Sequence, residues 1–286
     1  MTDKRPQVVV GVDGSEPSLR AAEWAAADSA ATGMSMAVCY VSDVSALADV
    51  PLPQEVRQSA RAYGHRMVDR ALVRIRQAAP VDAAGEVATG NPAAELIRRA
   101  AAAEQVVLGS RGAGGFERLV LGSVGAEVAA HAPCPVVVVR GERHERHEVV
   151  VGVDASDRSH HAVEYAFQYA ERRGGHVHAV HAFHDRPVPL PMPPVSAWDQ
   201  VAPEHDLSAR ELLADAVASW RLKYPAVEVE TTVVDGSAAW ALVQASKGAA
   251  LVVVGSRGHG GFAGLLLGSV SQALLRHADC PVVVVR

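Results

Sequence analysis

The stretch VVVGVDGS, residues Val8–Ser15, returns later in the chain as VVVGVDAS, residues Val149–Ser156. Two further blocks recur in the same order: GSRGAGGFERLVLGSV (Gly109–Val124) as GSRGHGGFAGLLLGSV (Gly255–Val270), and HAPCPVVVVR (His131–Arg140) as HADCPVVVVR (His277–Arg286). Three blocks repeated in one order indicate a tandem duplication. The sequence therefore predicts two domains of one fold, over residues 1–141 and 147–286.

The overall composition is that of a folded protein. Hydrophobic residues make up 49% and charged residues 21% of the 286 residues, close to the average for soluble domains and far from the profile of disorder. With 27 basic and 32 acidic residues the formal net charge is −5, which does not favour nucleic-acid binding. Only three cysteines occur, and neither an apolar leader nor a membrane-spanning segment is apparent, so we expect a cytoplasmic protein with no membrane association.

Short valine-rich runs alternate with longer alanine-rich amphipathic segments within each repeat. A helix is expected after each of the first four runs; the first helix begins after Ser15, has Pro17 near its first turn and ends before Gly33. In the first repeat the runs predict strands near Gln7–Val12, Met34–Val41, Val81–Thr89, Gln105–Leu108 and Val136–Val139. This order predicts an α/β fold with two tandem doubly wound parallel sheets.

Ligands in such sheets bind beyond the carboxyl ends of the strands where strand order reverses, which here means strands one and four. Strand one ends at Asp13 in the first repeat and at Asp154 in the second. Each carboxylate could accept hydrogen bonds from ribose hydroxyls or an adenine amine, or it could only start a turn and help cap the next helix. The aspartates alone leave both interpretations open.

Strand four runs in both repeats into Gly-Ser-Arg-Gly-x-Gly-Gly, a loop whose glycines let backbone N–H groups approach an anion closely. A Gly-Ser pair, Gly122-Ser123 or Gly268-Ser269, follows and opens a helix whose unpaired N–H groups and positive dipole end favour phosphate. Arg111 and Arg257 either add positive charge to the loop or lie in solvent. The sequence thus predicts a phosphate-binding loop in each repeat.

Two other phosphate-binding motifs do not account for this loop. A P-loop requires a Gly-Lys dipeptide, which the chain lacks, so a P-loop nucleoside triphosphatase is excluded. The segment Gly258–Ala263 fits the dinucleotide pattern GxGxxA, but it follows the fourth strand of its repeat, and the first repeat has Glu117 at the last position. We therefore interpret it as a chance match.

The spacing G-x2-G-x9-G-S resembles the ATP-binding signature of the universal stress protein family. It occurs as Gly109, Gly112, Gly122, Ser123 and again as Gly255, Gly258, Gly268, Ser269. With VGVDGS near the start and PCPVVVVR at the end of the first repeat, the resemblance covers essentially all of both repeats. It implies a Rossmann-like, adenine nucleotide alpha hydrolase-like fold, a bacterial, actinobacterial-like tandem protein, and ATP, with or without Mg²⁺, as the ligand of both repeats.

Transferred residue by residue, the resemblance implies that Asp13 and Asp154 contact the adenosine and that Val41 lies near the base. The candidate nucleotide-binding residues of the first repeat are Gly11, Asp13, Val41, Leu108, Gly109, Ser110, Arg111, Gly112, Gly114, Gly115, Gly122, Ser123 and Val124. Those of the second repeat are Gly152, Asp154, Ala182, Val254, Gly255, Ser256, Arg257, Gly258, Gly260, Gly261, Gly268, Ser269 and Val270. No residue is assigned to catalysis or to a metal.

The second repeat departs from the first at two positions near the predicted base. Ala182, followed by Phe183, stands where the first repeat has Val41, and Ala238 stands where it has Pro92. These departures bear on adenine binding in the second repeat.

Three other features of the sequence give weaker predictions of function than the glycine-rich loops do. The histidines of His176–His184 lie along one alternating strand, so their side chains point to opposite faces and a metal site is not favoured. Cys134 and Cys280 are expected to be small core residues. The segment Pro187–Pro194 cannot be helical and is interpreted as a surface insertion, a lid or a partner surface.

Three functions stay open from the sequence: a nucleotide-dependent regulator in a stress or dormancy response, a slow ATPase or phosphotransferase using the same site, and a structural module with a permanent nucleotide. Only fragments of a phosphoryl-transfer site are visible, which favours the regulator. The resemblance also implies pairing through the last strands, Pro135–Arg140 and Pro281–Arg286, as an intrachain pseudo-dimer. A homodimer and a regulatory protein partner are expected in addition.

Overall fold

The computed structural model describes residues 7–43, 53–112, 121–141, 147–183, 203–258 and 266–286, with backbone only for 203–206. The chain divides into two compact units, Met1–Arg140 and Gly141–Arg286. The candidate residues Gly114, Gly115, Gly260 and Gly261 and the proline-rich segment lie outside the described residues.

Each unit alternates strands and helices. The first unit contains β1 (Gln7–Gly11), α1 (Glu16–Thr32), β2 (Ser35–Ser42), α2 (Gln54–Ala78), β3 (Ala83–Thr89), α3 (Pro92–Ala100), β4 (Gln105–Gly109), α4 (Ser123–His131) and β5 (Val136–Val139). The second contains β6 (Glu148–Val153), α5 (Asp157–Arg173), β7 (His176–Phe183), α6 (Pro203–Lys223), β8 (Val229–Asp235), α7 (Ala238–Ala245), β9 (Leu251–Gly255), α8 (Ser269–His277) and β10 (Val282–Val285). All five strands predicted in the first repeat are present.

The strands of each unit form a parallel sheet. Their order is β3-β2-β1-β4-β5 in the first unit and β8-β7-β6-β9-β10 in the second. Helix α1 contacts α2 and α3 contacts α4, as α5 contacts α6 and α7 contacts α8, so each sheet carries a pair of helices on each face. The predicted α/β fold with two tandem doubly wound sheets is confirmed.

The central strands form the core because they are valine-rich and covered on both sides. Val8, Val9 and Val10 of β1 are at most 2% exposed, and Val106 and Val107 of β4 are fully buried. Burying one such side chain contributes roughly 1.5–3 kcal/mol before the entropic cost of ordering the chain. The rigid centre of each sheet is thus next to the strand ends where the candidate site lies.

Helix α1 follows the signals that predicted it. The Ser15 hydroxyl accepts a hydrogen bond from the Ser18 N–H at 3.3 Å, which caps the helix, and Pro17 lies in its first turn, where a missing N–H costs nothing. Gly33 ends the helix in the left-handed conformation with φ 70°. In the second unit Ser156 caps the start of α5 and Gly174 ends it in the left-handed conformation.

Two further findings concern cysteines and membranes. Cys39, Cys134 and Cys280 are free thiols, and all three are buried, as expected for Cys134 and Cys280. In the part of the chain that the structure describes, none of the helices combines the length and the apolar character that crossing a bilayer requires.

Candidate nucleotide site

Each sheet changes winding direction beside its first strand. β1 has β2 on one side and β4 on the other, and β6 lies in the same way between β7 and β9. The carboxyl ends of β1 and β4, and of β6 and β9, therefore flank the crevice in which ligands of doubly wound sheets bind. Both candidate motifs of each repeat follow these strand ends.

The two aspartates are held in the same way. Asp13 Oδ1 accepts the Ser15 N–H at 2.9 Å, and Asp154 Oδ1 accepts the Ser156 N–H at 2.9 Å. The backbone N–H of Asp154 in turn donates to Ser159 Oγ at 2.9 Å. Asp13 and Asp154 therefore do form the turn that was one of the two interpretations left open by the sequence. The turn occupies one oxygen of each carboxylate and fixes the direction of the other oxygen.

The second oxygen of each aspartate faces the glycine-rich loop. A Cβ placed on Gly112 would lie 2.5 Å from Asp13 Oδ2, and one on Gly258 would lie closer still to Asp154 Oδ2. Only glycine leaves room for the carboxylate against the loop backbone. The two sequence motifs therefore meet in both units, and the same contact explains one glycine in each loop.

Other candidate glycines make room for protein rather than for a ligand. A Cβ on Gly109 would lie 2.6–2.8 Å from backbone atoms of Pro17 and Ser18, and one on Gly255 would lie 2.9–3.2 Å from Arg158 atoms. These glycines let the first turn of α1 or α5 lie on the end of the neighbouring strand. Gly11 and Gly152 similarly accommodate the leucines of α3 and α7 that lie over them.

The helices α4 and α8 begin at the candidate Gly-Ser pairs. The N–H of Gly122 donates to the Ser110 carbonyl at 2.9 Å and that of Gly268 to the Ser256 carbonyl at 2.8 Å, which closes the loop. Gly122 and Gly268 are the N-cap residues and provide no side-chain cap, whereas Ser15, Asn91, Ser156 and Ser237 cap other helices. The helix ends at Ser123 and Ser269 thus keep N–H groups oriented for an anion.

A cavity of about 350 Å³ opens at this place in the second unit. Its walls include the predicted residues Gly152, Asp154, Ala182, Val254, Gly255, Arg257, Gly258, Gly268, Ser269 and Val270. Residues that the sequence analysis did not assign to the site also line it: Val153, Ala155, Ser159, Val180, His181, Leu212, Ala238, Leu242 and Ser271. The predicted Ser256 is 1% exposed and accepts hydrogen bonds through its carbonyl oxygen.

Among the unassigned residues, His181 brings a polar group to the cavity. Its Nδ1 lies 2.7 Å from the Val153 carbonyl oxygen, and because a carbonyl only accepts, Nδ1 carries the proton and donates. In the first unit Tyr40 occupies the equivalent position, since β1 pairs with β2 in the register in which β6 pairs with β7. Burial, and then the neighbouring Tyr63 and Asp13, raise the pKa of the Tyr40 phenol. Alignment of the repeats could have found both residues.

The two candidate arginines differ in their surroundings. Arg111 is exposed, whereas Arg257 is half-buried and lines the cavity, with its Nε buried and without a hydrogen-bond partner among the described residues. Arg111 is thus open to solvent, whereas Arg257 is available to a ligand in the cavity.

Two histidines of β7, His178 and His181, form hydrogen bonds with protein groups. His178 Nδ1 lies 2.9 Å from Glu148 Oε1, and its Nε2 lies 2.9 Å from Thr232 Oγ1. Across the described ranges, no three His, Cys, Asp or Glu side chains come together as a metal site.

Comparison with known proteins identifies the family. The sequence matches the universal stress protein family over residues 4–140 and again over 145–286. A universal stress protein of Mycobacterium tuberculosis is 39% identical over 295 residues, covering 99% of this chain and 98% of the relative. The chain therefore belongs to the universal stress protein family, as two tandem domains, and resembles actinobacterial members.

Solved structures agree with the fold. A universal stress protein from Archaeoglobus fulgidus superposes with a TM-score of 0.73 at 20% identity, covering 98% of both chains. A universal stress protein in complex with cAMP covers 48% of this chain and 99% of its own length, with 25% identity and a TM-score of 0.39.

Proposed function

We propose that this universal stress protein binds one ATP in each domain and acts as a nucleotide-dependent regulator in a stress or dormancy response. The observation that carries the proposal is the meeting of Asp13 with Gly112, and of Asp154 with Gly258, beside a helix that begins without a side-chain cap. A carboxylate and an anion-binding helix end at one strand edge suit the two ends of a nucleotide. The arrangement is built twice.

In the second domain each part of ATP has a chemically suitable neighbour. The Asp154 carboxylate accepts ribose hydroxyls, and the N–H groups at the start of α8, with the Ser269 hydroxyl, donate to phosphate oxygens. Val180, Ala182 and Leu242 give the cavity an apolar wall for adenine. His181 adds its unprotonated Nε2 as an acceptor for the adenine amine when the ring is neutral.

The cavity size fits this assignment. Small-molecule sites enclose roughly 300–1,000 Å³, and the cavity of the second domain, at about 350 Å³, lies within that range. In the first domain the corresponding residues are Asp13, Tyr40 and Val41 with the start of α4, so we propose the same ligand there.

The first test is the identity and stoichiometry of nucleotide in the purified full-length protein, by denaturing extraction and chromatography, followed by calorimetric titration with ATP. We expect about two adenine nucleotides per chain. Asp13→Asn and Asp154→Asn keep an oxygen for the turn but remove the charge, so each should weaken ATP binding at one site about 10–100-fold. Asp69→Asn and Asp215→Asn, on exposed helix positions, are the matched controls.

Absence of nucleotide after extraction together with no heat on titration with ATP would refute the ATP assignment. An unchanged stoichiometry and affinity in both site variants would show that ATP binds elsewhere.

The regulatory role is tested by sedimentation of the chain with and without ATP, where we expect a nucleotide-dependent change in assembly or partner binding. Steady release of phosphate from ATP, in an amount that matches the protein concentration every minute, would instead favour the slow ATPase.

We propose a cytoplasmic location for this activity. The support is that all three cysteines are buried free thiols, which fits a reducing compartment. Fractionation of cells that produce the chain tests this, and recovery outside the cytoplasmic fraction would contradict it.

A further inference from the structure

Three arginines lie near one another in the second domain, and one of them, Arg257, lines the cavity. Arg257 follows the end of β9, Arg286 follows the end of β10, and Arg158 is the second residue of α5. The first turn of α5 lies against the end of β9, since Arg158 atoms fill the space beside Gly255. The Ser256 N–H also donates to the Val285 carbonyl at 2.6 Å, so the strand ends that carry Arg257 and Arg286 are joined.

The three positive charges lie close enough to affect one another. Burial, and then the charges of Arg257 and Arg158, lower the pKa of the Arg286 guanidinium. An arginine side chain nevertheless keeps its proton in a protein. The cluster is therefore a concentration of like charge that the fold must stabilise by other means.

Three guanidinium nitrogens of the cluster lack a hydrogen-bond partner among the described residues. The Nε of Arg257 and the Nε and Nη2 of Arg286 are buried without a hydrogen-bond partner there. A buried N–H without a partner destabilises the folded chain, and more so when the group is charged. Native structures rarely keep such groups unpaired, so their presence indicates a ligand with oxygen acceptors and negative charge.

The cluster is also correctly placed for such a ligand. Arg257 lines the same cavity as Gly258 and Ser269, where the uncapped start of α8 points. A guanidinium donates two parallel N–H groups and so suits phosphate oxygens better than a lysine does. Several phosphate oxygens could be shared between the helix end and the arginines.

The first domain differs at one member of the cluster. Its helix α1 has Pro17 as second residue, where α5 has Arg158. Arg111, the counterpart of Arg257 in the repeated GSRG block, is exposed. The charge pattern around the two aspartates is thus unequal although the glycine pattern is the same.

We propose that Arg158, Arg257 and Arg286 form a polyphosphate subsite of the second domain, which makes this domain select nucleoside triphosphates over nucleosides and monophosphates more strongly than the first domain does. That a nucleotide binds in this cavity rests on the proposed function. That phosphate groups bind beside the cavity rests on the arginines alone. The ligand group is the phosphate chain of the nucleotide that Asp154 holds.

The test uses full-length protein carrying Asp13→Asn, so that the second site dominates calorimetric titrations with ATP and with adenosine. Arg158→Pro introduces the residue that the first domain has at this helix position, and Arg286→Gln removes a second charge. Each is expected to weaken ATP binding at least about tenfold while adenosine affinity stays the same. Arg172→Gln, at the exposed end of the same α5, is the control and should change neither.

The subsite is overturned if both arginine variants bind ATP as tightly as the chain without them. It is also overturned if the variants lose as much affinity for adenosine as for ATP, because that would show a general effect on the fold. Inorganic tripolyphosphate separates this inference from the proposed function. If neither adenosine nor ATP binds, the nucleotide function fails, yet tripolyphosphate binding that Arg158→Pro abolishes still supports the subsite. Tripolyphosphate that does not bind overturns the assignment, and so does tripolyphosphate that stays bound when ATP itself binds to the second domain.

Discussion

Single glycines in the loop after β4 have different roles, which substitution by alanine should separate. A Cβ on Gly109 would press on backbone atoms of Pro17 and Ser18, which cannot move without shifting α1. A Cβ on Gly112 would meet only the Asp13 carboxylate, which can move at the cost of the hydrogen bond that it accepts from the Ser15 N–H. We expect Gly109→Ala to destabilise the first domain by about 1–3 kcal/mol and Gly112→Ala by at most about 1 kcal/mol.

Urea unfolding of the full-length chain, followed through the transition of the first domain, measures this difference. Gly112→Ala should instead reduce ATP binding, because the displaced carboxylate no longer faces the ribose. Gly122→Ala is the control for stability, since its Cβ would make contacts of 3.7 Å or more. Equal stability of the Gly109 and Gly112 variants would contradict the packing argument.

The cysteines offer a second prediction at the scale of single residues. Burial raises the pKa of Cys39 and of Cys134 from 9.0 to about 11. At pH 8 the reactive thiolate fraction therefore falls about a hundredfold. We expect iodoacetamide to label both residues at least that much more slowly in the folded chain than in denaturant, as followed by mass spectrometry. Rapid labelling of native protein would show that these sites open readily.

At the scale of elements, the corresponding helices α3 and α7 are attached to their sheets differently. Glu95 of α3 bonds Arg98 at 2.8 Å and also pairs with Arg99, which reaches Glu86 of β3 at 2.8 Å. If Pro92 corresponds to Ala238, then Ala241 and Ala245 of α7 occupy the positions of Glu95 and Arg99. An ionic network in one domain is thus replaced by apolar packing in the other.

This difference predicts acid sensitivity in the first domain. The hydrogen bond from Arg98 is the main cause that lowers the pKa of Glu95 from 4.5 to about 2. A carboxyl group with a lowered pKa in the folded state stabilises fully above about pH 4.5, and this contribution is lost as the pH falls towards 2. We expect Glu95→Gln to reduce stability at pH 7 by about 0.5–1 kcal/mol, because the network lies near the surface.

Thermal melts of wild-type and Glu95→Gln chains between pH 7 and pH 2 measure the effect. The two should converge at the acid end, and Glu127→Gln, an exposed change in α4, should match the wild type throughout. A stability difference that persists unchanged at pH 2 would mean that the glutamate acts by packing and not by charge.

Element order and the helix caps were predictable because they depend on local signals. Ser15 and Gly33 mark the ends of α1, and the valine runs mark the strands. The repeat also predicts a shared contact, because Ser18 and Ser159 occupy equivalent positions and accept hydrogen bonds from the N–H groups of Asp13 and Asp154. Leu212 of α6 and Ser271 of α8 reach the cavity only through tertiary packing, which no local pattern encodes.

The loop glycines show a second limit of sequence reasoning. Gly109 and Gly112 look alike in the sequence, and both fit a loop that approaches an anion. Their difference lies in which protein atom occupies the space of the absent side chain, a helix backbone in one case and a carboxylate in the other. Such a distinction needs three-dimensional neighbours, whereas the position of the candidate site at this strand edge could be predicted from the sequence.

At the scale of the whole molecule, each candidate site is built from residues of one unit. Among the described residues, those that line the cavity beside Asp154 lie between Gly152 and Ser271. The hydrogen bonds of Asp13 with Ser15 and Ser18 and its approach to Gly112 lie within the first unit. Duplication has thus produced two candidate sites whose local chemistry can diverge, as it has at Pro17 and Arg158.

Two self-contained sites predict independent binding. Because changes at distant positions without shared partners are usually additive, Asp13→Asn should leave the ATP affinity of the second site within about twofold of its wild-type value, and Asp154→Asn should do the same for the first. Titration calorimetry on the two single variants and the double variant measures this, with both binding events expected to be weakened in the double variant. A change larger than about fivefold at the untouched site would instead reveal a coupling free energy of about 1 kcal/mol between the domains, and regulation by ATP would then have to be sought in the communication between two sites and not within each.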